Sequence, residues 1–237
     1  MSYKYGPSIV TDGLVFYVDA ANSKSYDGSA GGTTWTDLVG SNDGTLTNME
    51  TNPANAGYVY DSGNGGSIVF AGDDDVVRGG QLENGGGSGT SQSYSVWFKI
   101  DATPSDNPGL FYWDNYNGIF ILATTREISI QTDGDNSIGD FATTPIASVD
   151  TWHNIAFNFN QGSSYECWLD GVSFGSASTA DTSPAPGGSD IWRIGAREAN
   201  GEQEYLNGNV AVVKAYNRAL TSSEILQNYN ALKNRFI

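Results

Sequence analysis

Three adjacent carboxylates, Asp73-Asp74-Asp75, follow the apolar run Ser67–Ala71. Like charges held this close repel one another unless a cation lies among them. Calcium takes six to eight oxygen ligands from carboxylates, carbonyls and water. Calcium is therefore the candidate ligand of Asp73, Asp74 and Asp75, set against the plainer reading of an exposed acidic turn. The run departs from the Asp-x-Asp-x-Asp-Gly pattern of an EF-hand loop. A second acidic turn, Asp133-Gly134-Asp135-Asn136, reads as a hairpin loop. A different chemistry is offered by Tyr112-Trp113-Asp114-Asn115-Tyr116-Asn117. Saccharide sites combine an aromatic plate with a few planar or charged hydrogen-bonding groups. Trp113, Asp114 and Tyr116 are of those types, and Arg126, Arg197 and Asn200 are candidates for the further polar contacts. The alternative is an aromatic turn that packs locally or against a protein neighbour.

Catalytic constellations are poorly represented. Glycoside hydrolysis needs two carboxyl groups about 5–5.5 Å apart, or further apart with a water between them. Glu202 and Glu204 share the parity of one strand face, but they lie in the polar segment Glu198–Tyr205, which reads as a loop. Nucleophilic catalysis needs a base beside Ser or Cys. The sole histidine, His153, follows a tryptophan at the start of an alternating run and reads as packed and hydrogen-bonded. Cys167 alternates with Tyr165 and Leu169, which suits a buried, inert thiol. The expectation is a protein without catalytic residues.

Charge narrows the partners. Lys+Arg number 11 against 27 Asp+Glu, a net charge of -16. A nucleic-acid surface needs clustered Lys and Arg to displace counterions, and docking on anionic lipid needs the same. Neither is expected. Aromatic residues make up 12%, too many for a disordered acidic chain. A single cysteine forms no internal disulfide. The opening residues lack a basic region followed by an apolar one, and no run of about 18 apolar residues exists to span a bilayer.

The elements that must position these residues are strands. Short alternating or apolar runs, cut by Gly, Asn, Asp and Ser, recur from Gly13–Asp19 to Asn209–Tyr216. In Ser93–Asp101 the apolar side chains fall at Tyr94, Val96, Phe98 and Ile100, with Trp97 an exception on the other face. In His153–Asn160 they fall at Ile155, Phe157 and Phe159. Alternation of this kind buries one face, as in two packed antiparallel sheets. Asp170-Gly171, between apolar runs, predicts a tight type I′ hairpin turn. One helix is expected at the end. Thr221-Ser222-Ser223-Glu224 has the form of a capping box, and Ile225, Tyr229 and Leu232 make one apolar stripe. The helix is expected to pack on a sheet edge. The glycine-rich stretch Gly79–Ser91 reads as a surface loop within one domain, because strand patterning of one style flanks it on both sides.

Several segments in order resemble laminin-G-like, concanavalin A-like domains. Thr151-Trp152-His153-Asn154-Ile155-Ala156 is followed by Trp168-Leu169-Asp170-Gly171, then by Arg193-Ile194-Gly195. Asn207-Gly208-Asn209-Val210 leads into Tyr216-Asn217-Arg218-Ala219-Leu220-Thr221 and Glu224-Ile225. Upstream, Ser67-Ile68-Val69-Phe70, Val76-Val77 and Ser95-Val96-Trp97-Phe98-Lys99 sit where the family's early strands lie. Residues 13–22, with Thr34-Trp35-Thr36-Asp37-Leu38 and Asn42-Asp43-Gly44-Thr45-Leu46, are similar to the openings of such proteins in tailed-phage virions.

The resemblance implies an all-β fold, a two-sheet antiparallel jelly-roll sandwich with a short C-terminal α-helix. Residues 1–237 form a single domain, with 1–10 a candidate anchoring arm, and the first and last strands pair. By the same resemblance, a non-enzymatic capsid decoration or fibre subunit is expected on the virion surface, made in the host cytoplasm. It would contact other virion proteins, form a homo-oligomer and present loops to host-surface glycans. Calcium is the one cofactor in question. A stand-alone bacterial lectin or adhesion module is the alternative, with a glycoside hydrolase behind it.

Overall fold

The computed structural model describes residues 7–27, 32–49, 60–82, 91–113, 117–132, 136–138, 149–160, 163–178, 191–199 and 202–237. The strands of its first half are β1 (Leu14–Asp19), β2 (Thr34–Trp35), β3 (Gly44–Thr47), β4 (Tyr60–Asp61), β5 (Ser67–Ala71), β6 (Val76–Arg78), β7 (Gln92–Ile100), β8 (Gly109–Tyr112) and β9 (Gly118–Ile121). The second half contributes β10 (Ile128–Thr132), β11 (Asn136–Ile138), β12 (His153–Asn160), β13 (Ser164–Leu169), β14 (Val172–Ser178), β15 (Arg193–Ile194), β16 (Ala196–Ala199), β17 (Glu202–Tyr205) and β18 (Asn207–Tyr216). One helix, α1 (Ser222–Leu232), follows.

One antiparallel sheet runs β14-β13-β12-β7-β18-β5-β4, with β1 also paired to β18. A second runs β11-β10-β9-β8-β15-β6-β3-β2, and β16 and β17 form a separate two-stranded ladder. The first and last strands pair as the family resemblance implies, from Leu14↔Tyr216 to Asp19↔Val212.

The alternation read from the sequence decides what lies between the sheets. Tyr94, Val96, Phe98, Ile155, Phe157, Val213 and Ala215 of the first sheet meet Phe111, Ile119, Ile130 and Ile194 of the second, all buried. Burying side chains of this size contributes ~1.5–3 kcal/mol each. Trp97, the exception to the alternation, points to the opposite face of its sheet and is nonetheless fully buried. It is roofed by the C-terminal segment. Its indole stacks on Tyr229 at 5.5 Å and on Phe236 at 4.4 Å. Trp152, Ala211, Val212 and Leu232 complete that second layer. The helix therefore covers a sheet face, which corrects the expected edge placement. Edge packing would have left Trp97 and Val212 in water.

Local signals behave as their chemistry demands. Leu169 pairs with Val172 across Asp170-Gly171, and both turn residues have positive φ, 52° and 78°, as a type I′ turn requires. His153 donates from Nδ1 to Asp170 Oδ2 at 2.9 Å, while Asp170 Oδ1 accepts from the Asn154 amide at 2.7 Å, so the pair pins the hairpin end. Burial of Cys167 raises its thiol well above the ordinary range. The capping box is complete: Thr221 Oγ1 accepts from the Glu224 amide at 3.3 Å, and Glu224 Oε2 accepts from the Thr221 amide at 2.8 Å. Arg218 adds two contacts to the Glu224 carboxylate, at 2.6 and 3.0 Å.

Hydrogen bonds from Arg218, then from Thr221, lower the Glu224 carboxyl from an ordinary 4.5 to about 2. A carboxyl depressed in the folded state stabilises above its unfolded value and ceases to do so as pH falls through its folded one. The window here is pH 4.5 down to 2. Solvent screening limits the effect to about 1 kcal/mol. Glu224→Gln is thus expected to melt lower than the parent chain at pH 7 and alike near pH 2. An equal deficit at both pH values would show that the charge on Glu224 is not the source.

Candidate functional site

A groove of about 340 Å³ opens where three connections meet: the β5–β6 turn, the β7–β8 loop and the β17–β18 junction. Sequence chemistry builds each wall. Gly72 takes φ 87°, and a Cβ there would lie 2.8 Å from the Asn207 Cβ, so glycine lets the first wall close on the third. Beyond it the turn is braced by the Ala71 amide donating to Asp75 Oδ2 at 2.7 Å, and the Asp74 amide donates to Asp73 Oδ1 at 2.9 Å. The second wall, residues 101–108, is rich in Asp and Pro and leaves the ladder after Ile100. The Asp101 amide donates to the Asn207 carbonyl at 3.1 Å, and Pro108 accepts from Ile121 at 3.1 Å. The third wall turns on Leu206, fully buried, whose amide donates to the Gly195 carbonyl at 2.8 Å. That buried residue leaves its neighbours Tyr205 and Asn207 on the groove.

The lining is polar with one aromatic ring. Asp73, Asp106, Thr103, Ser105 and Asn207 are exposed, and Tyr205 is half-buried among them. Burial raises the Tyr205 phenol above its ordinary value. Asp74 and Asp73 reinforce the shift and Arg78 opposes it. The hydroxyl accordingly remains a hydrogen-bond donor through the neutral range. A ring beside carboxylates, hydroxyls and an amide is a set that hydrogen-bonds sugar hydroxyls and stacks on a sugar face.

The residues proposed from sequence are distributed differently. Trp113 belongs to the core: it is fully buried, 3.8 Å from Tyr94 in a parallel stack and near Phe157. It is therefore not the exposed aromatic plate expected, because the space between the sheets takes its ring. Arg197 is committed to Glu204 at 2.7 Å and to Gln131 at 3.2 Å, and it covers the Phe120 ring at 4.5 Å. Arg126 sits on the β9–β10 turn, which hydrogen-bonds to the β7–β8 loop through Thr124 to Pro104 and Ala123 to Asn107. Its side chain does not line the groove. Asp114, Tyr116 and Asn200 lie outside the described residues, as do residues 1–6 of the expected arm.

The segment read as a loop, 198–205, instead contributes to the antiparallel pair β16–β17, in register from Ala196↔Tyr205 to Ala199↔Glu202. Within that ladder Glu204 pairs with Arg197 and accepts from Asn107 at 3.5 Å. The three carboxylates of Asp73, Asp74 and Asp75 each bring an oxygen within 4.8 Å of the others, with Asp75 buried and the other two exposed. They could supply part of a calcium shell. Asp73 belongs to both this cluster and the groove. The groove itself escaped the sequence reading. Its signals were the Pro- and Asp-rich run 101–108 and a lone tyrosine ending a polar segment.

Two facing antiparallel sheets followed by one short C-terminal helix define a jelly-roll type of β-sandwich. The match of residues 71–226 to a family model places the chain more closely. It belongs to the Laminin_G_3 family of the concanavalin A-like lectin/glucanases superfamily. No curated protein matches it.

Solved structures share the fold at low identity. Domain 4 of AbnA, a GH43 extracellular arabinanase from Geobacillus stearothermophilus, in complex with arabinotriose, is 18% identical with a TM-score of 0.64. The match covers 91% of this chain and 98% of that one. Trypanosoma rangeli sialidase in complex with the inhibitor DANA is 15% identical with a TM-score of 0.65, over 97% of this chain. The chain spans only 34% of that enzyme. The binding domain of botulinum neurotoxin DC in complex with SialylT is 11% identical with a TM-score of 0.61, over 93% of this chain and 52% of that one.

Proposed function

We propose that this protein is a non-catalytic glycan-binding module whose ligand sits in the groove at Tyr205, and that it is carried on the surface of a phage virion. The groove carries the binding part of the reading. It joins an aromatic ring to Asp73, Asp106, Ser105 and Asn207 within a volume in the ~300–1,000 Å³ range of small-molecule sites. The arabinanase domain with arabinotriose, matched over nearly its whole length, supports the same reading by analogy of fold. The non-catalytic part is supported by Glu204. Its carboxylate is engaged by Arg197 and Asn107, leaving it poorly placed for acid or nucleophile work.

The virion part rests on the resemblance of residues 13–46 to phage openings. Those residues have structural work to do here. Asp37 accepts from the amides of Tyr17, Val39 and Asn42 at 3.0, 3.1 and 3.3 Å and thereby anchors the loop after β2 to β1. On this reading the protein assembles as a homo-oligomer among other virion proteins, with the groove facing host glycans. Calcium at Asp73, Asp74 and Asp75 would stiffen one groove wall.

Binding is tested by titrating the full chain with an oligosaccharide panel. Tyr205→Ala is expected to weaken the best ligand at least tenfold, about 1.4 kcal/mol, without lowering the melting temperature. Unchanged affinity in that variant would remove the groove from the reading. Mass spectrometry of purified virions tests the location. Absence of the chain there would favour a stand-alone bacterial lectin.

A further inference from the structure

Building on the glycan-binding reading, we infer that the groove takes uncharged saccharides and turns away acidic ones such as sialylated or uronic-acid-capped chains. The charge of the lining carries this. Two carboxylates, Asp73 and Asp106, face the groove, and Asp74 stands beside the first. The other polar lining groups are the hydroxyls of Thr103, Ser105 and Tyr205 and the amide of Asn207. Neither Lys nor Arg lines it among the described residues.

Two nearby cations are engaged by carboxylates. Lys99 is bound to Asp101 at 2.8 Å, with Asp150 at 3.9 Å. Arg197 is bound to Glu204. Arg78 acts on the Tyr205 phenol but is not in the lining.

A carboxylate accepts hydrogen bonds and donates none, so Asp73 and Asp106 suit sugar hydroxyls, which donate. An anionic sugar would bring a like charge against both, with no guanidinium among the described lining residues to receive it. Recognition of a carboxylate elsewhere in proteins relies on the paired donors of arginine. Each like-charge contact near a surface is unfavourable enough to cost roughly tenfold in affinity. The net charge of -16 adds a long-range repulsion that slows the approach of anionic glycans at low salt.

The test is calorimetric titration of the full chain in EDTA, so that no divalent cation bridges ligand and carboxylate. The ligands are arabinotriose, lactose and further neutral oligosaccharides, together with sialyllactose and uronic-acid-capped counterparts. The expected result is that the best neutral ligand binds at least tenfold more tightly than its acidic counterpart. The double variant Asp73→Asn/Asp106→Asn should shrink that ratio several-fold while folding as the parent does, because both residues are exposed. An acidic sugar that binds as tightly as its neutral counterpart, and is lost in Tyr205→Ala, would leave glycan binding standing and overturn the selectivity. A ratio unchanged in the Asp→Asn double variant would also overturn it. If no saccharide of either charge binds, the glycan-binding reading fails and this inference fails with it.

Discussion

Ending the chain after Thr221 is expected to abolish cooperative folding. The cut removes α1 and the residues after it, and with them the roof over one face of the first sheet. Ile225, Tyr229, Leu232 and Phe236 would no longer cover Trp97, Trp152, Trp168, Val212 and Leu220. Even at half of ~1.5–3 kcal/mol each, the lost burial is a large part of the ~5–15 kcal/mol by which a domain is stable. Polar anchors leave at the same time. Arg235 Nη1 contacts both Asp19 oxygens, at 2.9 and 3.0 Å, and Arg235 also donates to the Asn64 and Gly66 carbonyls. Asn228 accepts from the Val10 amide at 2.8 Å and donates to the Tyr216 hydroxyl at 3.0 Å. Removing these partners takes the Arg235 ion pair from Asp19, which is 6% exposed in the intact fold. Circular dichroism during heating would show the effect. Phe236→Ala is the graded version, expected to cost about 2–3 kcal/mol and to lower Tm by roughly 5–10 °C. A truncated chain that melted cooperatively within a few degrees of the full one would show the roof to be dispensable.

Lys214→Met is expected to raise stability at pH 7 by ~2 kcal/mol. Lys214 is fully buried on β18, between Tyr17 of β1 and Ser95 of β7 in the ladder, and its Nζ has no hydrogen-bond partner among the described residues. Burial lowers its pKa from 10.5 to about 8, with Asp19 opposing the shift and Arg235 adding to it. A cation whose folded pKa is depressed destabilises the fold while it is charged. The unfolded chain binds more protons between pH 8 and 10.5, so the parent chain gains stability as pH rises through that window. Methionine has similar length and no charge to desolvate, so the variant should be more stable at pH 7 and lack the alkaline rise. Denaturant unfolding of both chains at pH 7 and pH 10 measures the two slopes. A variant less stable than its parent at pH 7 would mean that Lys214 makes a favourable contact after all.

Much of the fold was legible because its signals are local. The alternation in His153–Asn160, the type I′ turn at Asp170-Gly171 and the capping box at Thr221 each follow from a few neighbouring residues obeying backbone geometry. The pair β16–β17 was hidden by the polar residues of Glu198–Tyr205, whose composition reads as a loop. The exception at Trp97 was a different matter. A large apolar residue on the polar face of a strand announces a second covering layer, but it does not say which segment supplies that layer.

Glycine in Asn207-Gly208-Asn209-Val210 shows the same limit. Its identity is plain in the sequence, yet its reason is tertiary: a Cβ at Gly208 would stand 2.1 Å from the Lys99 carbonyl oxygen, a backbone atom of the neighbouring strand. Trp113 is the reverse case, a residue whose neighbours Asp114 and Tyr116 suggested a loop site and whose ring the core took instead.

The amino-acid sequence by itself determined two packed antiparallel sheets, most of their strands and the capped helix, because periodicity and turn chemistry act over a few residues; the pairing of the two ends was legible only through the family resemblance. Only the tertiary structure decided which face the helix covers, where Trp113 goes and that Asp73, Asp106, Tyr205 and Asn207 share one groove. Those residues come from three connections far apart in the chain, and the packing of the two sheets brings them together.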